Sequence, residues 1–365
     1  MTDLESFHAE YGATFTEVGG RRVPADYGRP ERTHRAVRNG VGVTERPVDV
    51  VVVTGDDRVD YVDNVVSNRV PREAGHGRYA LLCDPNGRIE TDLYVVNAGE
   101  RLLLFLPAGR GAPTVDGWEA FIQDVAFEVA TDRFAVFGVH GPQATPKVAT
   151  VLAGAPPPDE RLSFARGEIG DAGVSVLRTD APAGETGYDV VCAAADAVDV
   201  LDALVTAGPS TPPFGRTVWE ALTLEAGTPL FGTELEGRIP NVAGARAAVD
   251  FEKGCFVGQE VVSKVENVGR PSRRLIGLTL EGPPAAGAAV LADGDEVGEV
   301  TRGAESPTLG SAVAMAYVEF GLDPGVALAV DADGGALEAT RAELPLVDGS
   351  ERSGRLPQYP DRRPS

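Results

Sequence analysis

The chain has 365 residues, 43% of them hydrophobic, and a formal net charge of −22 at pH 7. That length suffices for two or three domains with cores of their own, and no apolar run approaches the roughly 18 residues of a membrane span. The acidity opposes nonspecific attraction to a nucleic-acid backbone, so no direct nucleic-acid binding is expected.

Acidic residues are spread along the whole chain, and Lys147, Lys253 and Lys264 are its only lysines. This reads as a surface adapted to high salt, as in a halophilic organism. The start, Met1-Thr2-Asp3-Leu4-Glu5, lacks the charged-then-apolar layout of a signal peptide, which predicts a cytoplasmic protein. Cys83, Cys192 and Cys255 are widely spaced and odd in number, which argues against a disulfide framework. With no Cys-x-x-Cys pair they also argue against a self-contained zinc or iron–sulfur site. His8, His34, His76 and His140 show no metal-ligand spacing, and no metal ligand is assigned.

In chain order, Ala36 and Val37 precede a glycine stop and predict a short helix before Gly40. The β-branched run at 50–53 predicts a buried strand, and Val59, Val62, Val65 and Val66 follow at helical spacing. Residues 79–83 and 88–96 form a predicted strand pair around the turn Asp84-Pro85-Asn86-Gly87. Alternation puts Ile89, Thr91, Leu93 and Val95 on one face and Glu90, Asp92 and Tyr94 on the other. Asp92 thus becomes a strand carboxylate turned from the more apolar side, either solvated or functional. A helix is expected over 118–124 around Trp118, Phe121 and Ile122, and a strand over 134–139. Helices follow over 197–207, stopped by Gly208, and over 216–226, stopped by Gly227.

The stretch Lys253-Gly254-Cys255-Phe256-Val257-Gly258-Gln259-Glu260 sets one thiol among glycines, two residues after a cation and just before a predicted helix start at Gln259. Such surroundings stabilise thiolate, so Cys255 is a candidate reactive residue with Lys253 as its activating cation. The alternative is a small buried cysteine in a glycine-rich turn. Beyond Arg270-Pro271, predicted short strands at 275–280, 288–291, 296–301, 312–318 and 326–330 suggest a small antiparallel barrel. Residues 349–365 are polar and rich in Pro and Arg, which predicts a disordered tail.

The string around Cys255 resembles the Lys-Gly-Cys-aromatic-x-Gly-Gln-Glu signature of the YgfZ-like folate-binding proteins, relatives of the aminomethyltransferase (T-protein) of the glycine cleavage system. Residues 7–43, with Pro24 and Tyr27, are similar to the opening of both groups. Gly87-Arg88-Ile89-Glu90-Thr91-Asp92 resembles the T-protein Gly-Gly-Ile-x-Asp-Asp, with Thr91 replacing one acid. His140-Gly141-Pro142-Gln143-Ala144 resembles Gln-Gly-Pro-x-Ala, with His140 in the glutamine slot. Gly184-Glu185-Thr186-Gly187-Tyr188-Asp189 resembles Gly-Glu-Asp-Gly-aromatic-Glu, with an acid one methylene shorter at its end. Ser306-Pro307-Thr308-Leu309-Gly310 matches a string of the T-protein barrel. Trp219 and Thr223 stand where T-proteins carry arginines, although Glu225-Ala226-Gly227 is retained.

The resemblance implies an α+β fold of interleaved folate-binding subdomains around a central cavity (residues 1–270), a C-terminal antiparallel β-barrel (271–348) and the tail (349–365). It implies tetrahydrofolate as ligand, with Asp189, Glu185, Asp92, Tyr79 and Tyr188 as binding residues and Asp92, Cys255 and Lys253 as catalytic ones. A carboxylate at 189 suits the paired N–H donors of a pterin edge. The first functional expectation is support of iron–sulfur cluster assembly or repair through Cys255, and so of cluster-dependent tRNA-modifying enzymes, with iron–sulfur enzymes or assembly proteins as partners. The second is a folate-dependent aminomethyl or methyl transferase. The third is a folate-gated scaffold that docks through its barrel.

Overall fold

A computed structural model of the protein describes residues 3–118, 124–267, 269–332 and 335–360. Two five-stranded antiparallel sheets form its centre. The first runs in the order His76–Cys83, Ile89–Asn97, Leu102–Pro107, Val48–Thr54, Ala126–Val129. The second runs Phe164–Ile169, Ala172–Arg178, Gly187–Ala193, Phe134–His140, Gly42–Glu45. The strand Gly42–Glu45 precedes the whole first sheet in sequence yet forms an edge of the second, so the two units are interleaved as expected.

Period-2 alternation explains how the sheets pack. Val50, Val52, Leu81, Tyr94 and Phe105 of the first sheet share one core cluster with Val136, Leu177 and Val191 of the second. The alternate residues Val51, Val53, Leu93, Val95 and Leu104 face away and pack with Val62 of the helix Arg58–Val65 and Val115 of the helix Gly111–Trp118. On the far side, Phe137, Val176 and Val190 pack against the helices Ala144–Val151 and Ala197–Thr206. The result is a helix–sheet–sheet–helix stack in which every central strand is covered on both faces. This is why the run at 50–53 is apolar without a break. Of the helix expected over 118–124, residues 119–123 lie outside the described residues.

The C-terminal part is a closed antiparallel barrel in the order Arg273–Leu280, Ser311–Glu319, Asp295–Ser306, Ala289–Ala292, Leu328–Ala332, Gly335–Ala342. Five of these strands fall where the alternating apolar pattern predicts them. The sixth, Gly335–Ala342, was not expected, because a segment of glycine, alanine and charged residues has little intrinsic strand preference. It forms because pairing with both Arg273–Leu280 and Leu328–Ala332 removes the barrel's open edges.

Helix Arg216–Glu225 joins barrel and core. Its last residue, Glu225, accepts hydrogen bonds from His34 (3.0 Å), from Arg38 and from the barrel residues Ser306 (2.5 Å) and Thr308 (3.2 Å). The retained Glu225-Ala226-Gly227 and the 306–310 string are thereby explained together as one junction.

The expectation of a disordered tail is corrected for residues 349–360. Ser353 and Arg355 are buried. Glu351 bonds to Arg161 and Arg178, Ser353 Oγ meets Thr228 (2.8 Å), and the Tyr359 hydroxyl lies between the Leu275 amide and the Val242 carbonyl. Composition misled because these polar side chains are paired inside the fold rather than with water. Among the described residues, no helix is long and apolar enough to cross a membrane.

Candidate functional site

Asp92 stands on the strand Ile89–Asn97. Its partner register slips between Leu82 and Cys83, so that Leu82 faces Thr91 and Cys83 faces Ile89. This bulge leaves Glu90 exposed and turns Ile89 to the same core cluster as Tyr94 and Val96, which corrects the strict alternation expected at the strand's start. From Thr91 onward the alternation holds, and Asp92 points between the sheets. Asp189, on the strand Gly187–Ala193, points there from the opposite sheet, beside Gly138 on one neighbour and Leu177 on the other.

Between them lies a cavity of about 290 Å³ that both aspartates line. Its walls are largely apolar, with Val48, Tyr94, Phe105, Val136, Val191 and Trp219 among them. Both carboxylates are buried, Asp92 at 6% and Asp189 at 8% exposure, and on each the Oδ1 atom has no hydrogen-bond partner. Asp92 Oδ2, by contrast, accepts from the Tyr79 hydroxyl (2.8 Å) and the Arg355 guanidinium (3.3 Å). Burial pushes both carboxyls above their ordinary range, opposed by Arg355 at Asp92 and by Arg46 at Asp189. The cavity is therefore lined by two desolvated carboxylates whose hydrogen-bonding capacity the protein does not exhaust, an arrangement that is costly unless a ligand completes it.

Cations reach this space from segments that gave no such signal in sequence. Arg46 follows the edge strand, lies 3.8 Å from Asp189 and stacks 4.3 Å above the Trp219 ring. Arg216 and Arg355 also line the cavity. Trp219 is a wall of the cavity as well as a packing residue. Thr223 instead accepts from Arg302, which also bonds Glu234. His140 is fully buried 5.2 Å from Trp219, and burial together with Arg46 and Arg178 lowers its pKa to about 3. A Cβ at Gly138 or Gly187 would come within 2.5 Å of that imidazole, so both glycines are spacing devices for a neutral ring.

The other residues expected at the site are placed elsewhere. Tyr79 lies beneath Asp92 and Arg355, with the guanidinium 4.2 Å from its ring centre, and acts on the cavity through them. Tyr188 is one residue out of phase with Asp189. It points to the outer core, where its hydroxyl meets Thr145 at 2.8 Å. Glu185 is buried away from the cavity, receiving Arg38 (2.8 Å) and the Ser350 amide (2.9 Å). Lys253 is buried too. Its ammonium donates to the carbonyls of Asp63, Val66 and Asn68, closing the C-terminal end of the helix Arg58–Val65 instead of attending the thiol.

Cys255 is exposed and does not line the cavity. The picture of a thiol sharing one hollow with the aspartates is therefore corrected. The helix expected after it is present as Gln259–Asn267. Gly258, at φ +80, rests on the turn at Gly87, and a Cβ there would come 2.5 Å from the Asp84 carbonyl oxygen. Part of the Cys255 motif is thus a docking device for the turn that introduces the Asp92 strand.

Two facing antiparallel sheets that enclose a carboxylate-lined cavity, buttressed by a closed barrel, define an α+β ligand-binding architecture. The sequence matches the GCVT N-terminal domain over residues 4–253 and the glycine cleavage T-protein C-terminal barrel domain over residues 273–348. Relatives include proteins named aminomethyltransferase from Saccharopolyspora erythraea (33% identical, covering 95% of this chain and 97% of that one) and Streptomyces avermitilis (34%, covering 87% and 89%). The crystal structure of glycine cleavage system aminomethyltransferase T from Bartonella henselae superposes with a TM-score of 0.84 at 23% identity, covering 95% of this chain and 97% of that one. The chain belongs to the glycine cleavage T-protein family. These matches do not single out its YgfZ-like branch.

Proposed function

We propose that the protein binds tetrahydrofolate between Asp92 and Asp189 and acts as an aminomethyl or methyl transferase. The observation that carries this reading is the pair of buried carboxylates, Asp92 and Asp189, that line one largely apolar cavity from opposite sheets. A reduced pterin offers adjacent N–H donors on a flat, poorly solvated ring, which is the complement of such a wall. Asp189 suits the pterin edge, and Asp92, held by Tyr79 and Arg355, suits a nitrogen at which a proton is lost or gained. Bound folate would supply the nucleophilic nitrogen that carries the one-carbon unit. The relatives named aminomethyltransferase support the same class of reaction.

The test is turnover of purified protein with tetrahydrofolate across a panel of aminomethylated and methylated donors. One-carbon-substituted folate should form with at least one donor, and Asp92→Asn should abolish it. Absence of both turnover and tetrahydrofolate binding contradicts the reading.

A second reading, support of iron–sulfur cluster assembly, rests on Cys255 alone. Its exposure next to the exposed Val257 makes the thiol accessible to a protein partner. In cells, Cys255→Ser should then lower iron–sulfur enzyme activity while tetrahydrofolate binding survives. Unaltered enzyme activity removes this reading.

A further inference from the structure

The C-terminal segment enters the cavity wall. Arg355 is 8% exposed, with Nε 3.1 Å from Asp180 Oδ2 and Nη1 3.3 Å from Asp92 Oδ2, and its Nη2 meets the Tyr94 hydroxyl. The Tyr94 hydroxyl in turn donates to Asp180 Oδ1 at 2.5 Å. The guanidinium packs against the rings of Tyr79 (4.2 Å) and Tyr94 (4.8 Å), which are themselves neighbours at 5.3 Å. All three of its nitrogens are therefore engaged, two of them by carboxylates on different parts of the core. The backbone around it is anchored separately, by Gly354 N to the Asp180 carbonyl (2.7 Å) and Gln358 N to the Gly244 carbonyl (2.8 Å).

We propose that residues 349–360 form a built-in strap of the binding site and that Arg355 is its positioning residue, tying Asp92 Oδ2 so that the carboxylate is held in one orientation at the cavity wall. The inference rests on the folate reading for the identity of that ligand but not for the geometry. A planar, forked cation is needed because Asp180, Asp92 and Tyr94 lie in different directions from the guanidinium. A lysine ammonium is a point charge and cannot span them. Without the cation, Asp92 becomes an uncompensated buried charge, swings or takes up a proton, and ceases to be a fixed acceptor.

The experiment compares full-length wild type, Arg355→Ala and Arg355→Lys in two readouts, with circular dichroism confirming the fold. Titration with tetrahydrofolate should show affinity weaker by roughly 10- to 100-fold in Arg355→Ala. Millimolar guanidinium ion should restore much of it, and Arg355→Lys should not. In the ligand-free protein, carbodiimide labelling followed by mass spectrometry should leave Asp92 unmodified in wild type and modify it in Arg355→Ala. Wild-type affinity in Arg355→Ala, or identical Asp92 labelling in the two proteins, overturns the proposal. If wild type binds no tetrahydrofolate, the ligand reading fails and the labelling readout alone decides the role of Arg355. Should Arg355→Ala fail to fold, the Lys variant carries both readouts, and wild-type behaviour there overturns it equally.

Discussion

Asp92 and Asp189 stand on opposite sheets and line the same cavity, each buried and each faced by an arginine, Arg355 at Asp92 and Arg46 at Asp189. Folding therefore desolvates two carboxylates at one place. Ligand-binding sites carry such a cost where packed cores avoid it.

The cost should be measurable at Asp189. Burial raises its carboxyl above the ordinary 3.8, with Arg46 opposing. A carboxyl raised in the folded state contributes stability that is fully present below its unfolded pKa and is lost as the pH rises through the folded pKa. At pH 7 the ionised group is thus a liability, and Asp189→Asn should stabilise the ligand-free protein by about 1 kcal/mol. That advantage should shrink in denaturant melts as the pH falls toward 3.8. The same variant should bind tetrahydrofolate ~10- to 100-fold more weakly, by calorimetric titration, because charge-assisted bonds are lost.

Glu225 should show the opposite sign. Burial alone would raise its carboxyl, but bonds from His34 and Ser306 and the charge of Arg38 bring it from 4.5 down to about 2. A depressed carboxyl contributes stability present above its unfolded pKa and lost as the pH falls through the folded value. Glu225→Gln should therefore cost ~3 kcal/mol at pH 7. The gap to wild type should close between pH 4.5 and about 2.

The three cysteines should separate by reactivity. Cys83 and Cys192 are buried, and burial pushes both thiols up to about 12. Cys255 is exposed. A thiol-disulfide reagent should titrate one group rapidly in the native protein and all three after denaturation. Two fast native thiols would show that one of the interior sites opens readily.

Gly258→Ala should destabilise the protein by ~1 kcal/mol or more, since the position combines a positive φ with contact against the Asp84–Gly87 turn. A melting temperature equal to wild type would show that the turn and the loop move apart without cost.

The barrel was legible because short strands recur between Gly and Pro turns, and the strands at 50–53, 79–83 and 134–139 because they are apolar runs, whereas the α+β class came from the family motifs. Asp92 and Asp189 were legible as cavity carboxylates through family motifs. Those motifs also suggested Tyr188 and Glu185, where period-2 alternation already implies that Tyr188 and Asp189 face opposite ways. Arg355 was hidden because it lies in a stretch whose average composition is that of a tail. The only local hint is Leu356 and Tyr359 among its polar neighbours. Lys253 was misread because a cation two residues from a thiol in sequence is drawn instead to helix carbonyls more than 180 residues earlier.

The most direct measurement is an experimental structure of the protein with tetrahydrofolate at saturating concentration. The predicted result places the folate between the two sheets, with its N–H groups on the carboxylates of Asp92 and Asp189 and Arg355 still on Asp92 Oδ2. An empty cavity, or folate bound at the Cys255 loop instead, would contradict it.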